Sequence, residues 1–364
     1  MLNLMLKKKR ILFFATKGFG SNEDERIKTL LSRLDTDHFH FDARSFKSKC
    51  SSFFGILSSL RKERPDVVVM EGTGLAGGSA LLLSRLLYGV SFVVSSGDAI
   101  APFLSARFPL LGPIFSVYEK CLYRFSSGFI GWTPYLVGRA LTMGAPVGIT
   151  AEHWNFFSRS PLQLAQARTQ VRARYNIPVD AIVVGLVGSL AWNRRYQYCY
   201  GMELVKAAKR TGRKNLFFLI AGDGEGLGHL QKEADGLTNV IFAGRVPLNE
   251  VPDVLACFDI GSLPQSVNQV GSFRYTTKIS EYKAAGLPII TCKVPMAYDL
   301  DGGWFWRLSG KNPWGEEFIS ALSDFLTTLS AEDIQSKKKS LTNDLKGFDR
   351  EAQISRVSSF LTEL

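Results

Sequence analysis

The sequence has little of what staples or metallates a small fold. Its 364 residues include five cysteines and four histidines. Cys50, Cys121, Cys199, Cys257 and Cys292 stand far apart with no CxxC pair. A disulfide framework and a structural zinc site are therefore not expected, and a reduced compartment fits. No carboxylate or histidine cluster has ligand spacing either, so neither a metal nor a cofactor is implied. Long apolar runs are missing too. The most apolar stretch, Ser79 to Ser95, contains Arg85 and Gly89 and is broken by serines, which makes a poor membrane span. The basic start, Lys7 to Arg10, is followed by an apolar run of only Ile11 to Ala15 before Lys17 and Gly18. That is too short for a secretory signal and reads as a first β-strand. The expected location is cytoplasmic, either free or peripheral on the inner face of the cytoplasmic membrane.

What is present is enough apolar material, 46%, to fill about two cores. The formal net charge of +11 is uneven. Residues 1–160 carry 20 Lys/Arg against 12 Asp/Glu, and residues 161–364 carry 24 against 21. The first part thus holds +8 and points to an anionic partner there. No interleaved aromatic and basic motif of a nucleic-acid module stands out, so nucleic acid is not the expected partner.

Short β-branched runs alternate with longer amphipathic stretches, the pattern of βαβ units and parallel sheets. The expected strands of a first series are 10–16, 38–44, 66–72, 91–97 and 128–134, with helices such as Glu25 to Leu34 and Ser79 to Leu87 between them. A second series, 182–188, 216–222, 239–245, 260–265 and 288–293, follows a linker placed near Phe157 to Pro161. Each series reads as its own doubly wound sheet, whose ligands bind beyond the C-terminal strand ends.

Four segments carry chemistry. The first strand runs into Thr16-Lys17-Gly18-Phe19-Gly20-Ser21, where glycines let backbone approach a ligand, although any tight β–α turn looks the same. Beyond the strand 182–188, Arg194 and Arg195 offer guanidinium forks suited to a diphosphate, or are simply solvated. LFFLIAGDGEGLG fails the strict dinucleotide fingerprint, with Leu227 and His229 at the decisive places and Gly244-Arg245 where an acidic ribose reader belongs. Hydride transfer is thereby disfavoured. Residues 275–291, YTTKISEYKAAGLPIIT, supply a cation, Lys278, and a carboxylate, Glu281, in one short helix. The pair matches a phosphate and a ribose diol, and equally the solvated face of an ordinary helix.

Thr277 to Pro288 resembles the Thr-Lys-(apolar)-x-Glu-Tyr-x-Ala-x-Gly-x-Pro stretch of the family-four retaining glycosyltransferases. VGSL (187–190), LIAGDGE (219–225) and VIFAGRVP (240–247) follow the family's order, Glu119 to Leu141 is loosely similar, and Phe348 to Phe360 resembles its last helix. The resemblance implies an α/β chain of two facing Rossmann-like, doubly wound domains with an interdomain cleft, the B-type glycosyltransferase fold. Residues 1–157 would bind acceptor, residues 158–347 would bind donor, and 348–364 would form a helix crossing back to the first domain. It further implies a nucleotide-sugar donor, a glycan or lipid-linked acceptor, and transfer with retention and without metal. Carried over by position, Gly18, Gly20, Gly188, Arg194, Arg195, Arg245, Lys278 and Glu281 would bind the donor, with Asp98, Arg194 and Lys278 as the catalytic set.

Two departures stand out. Eight positions before Glu281, where the family has its first glutamate, is Phe273, and Asp98 follows the fourth strand where many relatives carry a histidine. Asp98 would orient the acceptor hydroxyl or donor sugar, or cap the next helix. A nucleotide-sugar epimerase and a non-catalytic nucleotide-sugar-binding relative are the alternative readings. Two segments mixing cations with large apolar groups, Arg44 to Arg64 and Phe103 to Phe125, are expected to dock an anionic membrane, or else to pack into the first domain.

Overall fold

A computed structural model of the chain describes residues 9–154, 159–274, 276–300, 302–343 and 348–364. It separates into two compact units: Met1–His153 with Phe273–Tyr275 and Gly347–Leu364, and Trp154–Ser272 with Thr276–Lys346. The expected boundary at 157/158 lies outside the described residues. Each unit is a six-stranded, wholly parallel sheet, as the alternation of apolar runs and amphipathic stretches predicts.

The first sheet contains β1 (Ile11–Ala15), β2 (Thr36–His38), β3 (Val67–Glu71), β4 (Phe92–Ser96), β5 (Gly128–Gly131) and β6 (Gly148–Thr150), in the order β2-β1-β3-β4-β5-β6. The second contains β7 (Ile182–Val187), β8 (Leu216–Ala221), β9 (Val240–Gly244), β10 (Ile260–Leu263), β11 (Ile289–Cys292) and β12 (Phe305–Leu308), ordered β12-β11-β10-β7-β8-β9. Every residue of β1, β3 and β4 is buried, because helices cover both faces of a parallel sheet. The order reverses between β1 and β3 in one unit and between β7 and β10 in the other. These are the switch points where crevices open at the strands' C-terminal ends.

Three differences from the expected elements have physical causes. The strand expected at 38–44 is β2 at 36–38, because β1 turns away at Thr16 and leaves only isolated bonds beyond. Phe39 N donates to Phe13 O (2.9 Å) and Phe19 N to Phe41 O (3.1 Å). The helix expected from Glu25 starts at Asn22, because the Ser21 side chain accepts from Asp24 N. β6 and β12 are short edge strands with too few residues to show a period. The C-terminal helix Arg350–Glu363 packs in the first unit: a Cβ on Gly128 would lie 2.7 Å from the Phe360 ring, and Lys9 Nζ donates to Thr362 O (2.8 Å). Among the described residues no helix is long and apolar enough to cross a membrane.

The strand ends of the second unit are interlocked. Gly188 N donates to Ala221 O (2.9 Å), Leu190 N to Asp223 O (2.9 Å), Gly226 N to Leu190 O (2.8 Å) and Gly222 N to Gly244 O (2.7 Å). Gly222, at φ +147°, leaves no room for a side chain, since a Cβ would lie 1.8 Å from Gly188 O. The glycines of AGDGEG thus serve loop packing. Below them Glu203 is fully buried, accepting from Tyr198 OH (2.8 Å), Gly201 N (3.0 Å) and Ser262 Oγ (3.3 Å). Burial raises its carboxyl to about 7 against those bonds.

Gly222→Ala should cost at least about 3 kcal/mol in urea denaturation, because strain and overlap add. A loss under 1 kcal/mol would contradict the interlock. Glu203 gives a pH test. Its folded-state pKa is raised, so its contribution is fully present below pH 4.5 and declines as pH rises to about 7. Glu203→Gln should remove that decline and gain up to roughly 3 kcal/mol relative to the parent at pH 8. Parallel stability–pH curves for the two proteins would refute the assignment.

Candidate functional site

In the second unit the helix Lys278–Ala284 sits beside the switch point. Its Ile279 and Tyr282 are buried, and the Tyr282 ring lies over Gly261 of β10, where a Cβ would be 2.5 Å from ring carbon. Tyr282 OH donates to Ser262 O (3.0 Å). This anchorage aims Lys278 at the end of β7: a Cβ on Gly188 would lie 2.9 Å from Lys278 Nζ. The ammonium also stands 5.3 Å from the centre of the Tyr200 ring, a cation–π contact. One turn on, Glu281 borders a small open pocket lined by Arg159, Leu164, Pro252, Leu255, Ala284 and Ala285. Burial raises the Glu281 carboxyl, opposed by the Lys278 charge and a hydrogen bond from Thr277.

The other donor-side candidates stand on neighbouring loops. Arg194 and Arg195 occupy an exposed turn closed by Asn193 N to Tyr198 O (2.8 Å), with Asn193 Oδ1 accepting from Arg195 N (3.1 Å). Arg245, after β9, is exposed and 4.0 Å from Asp223. The structure therefore brings Gly188 and Lys278 into contact, with Glu281 adjacent, and holds the three arginines out on rims. The sequence reading missed what stiffens the arginine turn. Trp192 stacks on His229 (3.8 Å, 4°) and Tyr196 on Trp314 (4.3 Å). The density of aromatics in WNRRYQYCY was the available signal.

In the first unit Gly18 (φ +106°) and Gly20 (φ +75°) shape the turn after β1. Both amides are engaged, Gly18 N with Ala15 O (3.1 Å) and Gly20 N with Asp24 Oδ2 (2.9 Å). Deeper lies a buried network that the sequence did not reveal: Arg26 pairs with Glu71 (2.8 Å), which also accepts from Ser95 Oγ (2.6 Å) and Trp132 Nε1 (3.0 Å). Removing one partner of so buried a pair typically costs 3–5 kcal/mol.

Asp98 does not cap the following helix. The helix Ile100–Arg107 has Ala99 at its N-cap without a side-chain bond, and Ile100 N donates instead to Glu119 Oε1 (3.0 Å). Glu119 reaches that amide because Arg139 (2.6 Å) and Tyr123 OH (3.2 Å) hold it there. Asp98 turns to Arg274, with 2.9 Å between Oδ1 and Nε. The neighbouring Phe273 accepts at its carbonyl from Thr133 Oγ1 (3.2 Å) and lies under Arg139 (5.3 Å). The two departures from the family pattern are therefore adjacent within the first unit.

Residues 181–326 match the family model described as Glycosyl transferases group 1. No curated protein matches the chain in sequence. Among solved structures, HepE of Anabaena, in complex with UDP and glucose, is similar with a TM-score of 0.70 at 13% identity, over 98% of this chain and all of that one. Sucrose-phosphate synthase from Thermosynechococcus elongatus matches with a TM-score of 0.70 at 12% identity, over 98% and 99% of the two chains. WaaG, a glycosyltransferase involved in lipopolysaccharide biosynthesis, matches at 0.65 and 13%, over 96% and 99%. The fold is that of the B-type glycosyltransferases. At these identities the structural likeness carries the two-Rossmann-domain fold alone, and the group 1 match covers the part that holds Gly188, Lys278 and Glu281.

Asp98→Asn and Arg274→Gln in a double-mutant cycle should show coupling of about 1 kcal/mol, modest because the guanidinium is partly exposed. Additive effects in thermal denaturation would remove the pair as a structural device.

Proposed function

We propose that the protein transfers a sugar from a nucleotide-diphosphate sugar to a glycan or lipid-linked acceptor. The observation that carries this reading is the Lys278 ammonium set against Gly188 at the β7 end, with the Glu281 carboxylate one turn away. A cation and an acceptor-only group at that spacing match a diphosphate and a ribose diol. HepE, with UDP and glucose bound, and WaaG support a nucleotide-sugar donor and a glycan acceptor.

In this mechanism Glu281 accepts from the ribose hydroxyls, while Lys278 with Arg194 or Arg195 meets the charge that grows on the leaving diphosphate. Arg245 borders the same loops. Gly188 keeps the β7 end open for the phosphates, and Gly18 and Gly20 let the donor approach the β1 turn. Asp98, held by Arg274, orients the acceptor hydroxyl or the donor sugar. Retention rests on the resemblance of Thr277 to Pro288 to family-four enzymes, with the acceptor attacking on the leaving-group face and the departing phosphate taking its proton. Catalysis is then positioning and charge stabilisation. Fixed cations in the phosphate role make a metal ion unnecessary. Residues 1–157 serve the acceptor and 158–347 the donor. The basic first part gives the enzyme a second partner, an anionic membrane at the inner face of the cytoplasmic membrane.

Gly188→Ala should fold normally, since the lysine end can yield, but should weaken nucleoside-diphosphate binding by displacing the ammonium. Glu281→Ala and Arg194→Ala should each lower affinity by calorimetry or, where the contact forms only in the transition state, turnover by about a hundredfold. Normal binding and turnover in either variant would remove that residue from the site. Because burial raises the Glu281 carboxyl above its ordinary value of 4.5, affinity should be lost on acidification at a higher pH than an ordinary carboxylate would give, and Glu281→Gln should flatten that dependence. Activity should persist in excess chelator; loss restored by magnesium or manganese would contradict the mechanism. Conversion of the donor to an epimer without acceptor would identify an epimerase instead.

A further inference from the structure

The first unit carries an apolar projection that the transfer reaction leaves unused. Between the helices Ile100–Arg107 and Gly112–Phe125, the 3-10 turn Pro109–Leu111 has no buried residue. Leu110 is 96% exposed, and Phe108, Leu111, Ile114 and Val117 stand out around it. The exposure is built into the backbone. Phe108 N donates to Leu104 O and Leu111 N to Phe108 O, both at 3.1 Å, while Pro109 and Pro113 restrict φ. Phe115 and Leu122 anchor the next helix in the core, and Glu119 ties it to Ile100. Five exposed large apolar side chains within the ten residues Phe108 to Val117 mark a contact surface.

The surrounding charge identifies the partner. Residues 99–118 contain no Asp or Glu, and the flanking carboxylates, Asp98 and Glu119, are buried. Arg107, Lys120 and Arg124 are exposed along the same helices. A second copy of the chain, meeting this face across a two-fold axis, would bring like charges together. An anionic bilayer satisfies both components at once. We propose that Phe108–Val117 is a wedge that inserts between the lipids of an anionic membrane, with Leu110 at its tip and Arg107, Lys120 and Arg124 against the headgroups. This rests on the membrane partner named above and deepens it, since hydrocarbon insertion is added to charge. It also separates the two segments expected to dock. In Arg44 to Arg64, Ile56 and Leu60 belong to the core and only Phe46 and Phe54 are strongly exposed, so that segment lacks a continuous apolar edge.

The test uses the full chain and vesicles of phosphatidylcholine alone or mixed equally with phosphatidylglycerol. The wild type should float with the anionic vesicles only. Leu110→Ser, which changes no charge, should lower that partitioning about tenfold, and tryptophan fluorescence of Leu110→Trp should be quenched by brominated lipids beyond the wild-type level. Equal flotation of wild type and Leu110→Ser, or no added quenching, overturns the wedge and leaves attachment by charge alone. Failure of the wild type to bind anionic vesicles overturns the membrane partner as well. The thermal shift produced by UDP, expected to be the same in wild type and Leu110→Ser, reports separately on the donor site and on folding.

Discussion

The second unit depends on one backbone contact, the approach of Gly222 to the carbonyl of Gly188. Two parallel strands end side by side there, and the loops leaving them are bonded to each other before either reaches solvent. Only a residue without a Cβ fits. The contact fixes the height of the β7 end, and the Lys278 side chain then lies against the same glycine. The fully buried Glu203, beneath, bonds Tyr198 and Gly201 and so secures the return of the 190–200 loop. Arg194 and Arg195 are presented on that loop, stiffened from outside by the Trp192–His229 and Tyr196–Trp314 stacks.

The first unit is organised by charge rather than by close backbone contact. Arg26 and Glu71 neutralise each other in the core, and Glu71 gathers Ser95 and Trp132 around the ends of β3, β4 and β5. Nearer the surface, Lys17 pairs with Glu23 (2.6 Å) and Arg274 with Asp98. Burial nonetheless raises the Glu23 carboxyl, with Glu71 and Asp98 adding to the rise against Lys17. The switch point of this sheet is thus lined by both acids and cations, Lys17, Glu23, Asp98 and Arg274 among them.

The fold class, most of the strands and the segment 277–288 were legible in the chain alone. Parallel strands buried on both faces must be short apolar runs, and a motif that is continuous in the chain can be read in one pass. The unusual charge of the first part was legible there as well. Which groups meet emerges only once the chain is folded. Asp98 pairs with Arg274 because residues 273–275 belong to the first unit, and Glu119 takes the helix cap because Arg139 and Tyr123 hold it in place. Hydrophobic periodicity reports which face of a segment is buried and carries no information about the partner across space. For the same reason the apolar residues of 103–125 looked alike in sequence, although Phe115 is core and Leu110 is almost wholly exposed.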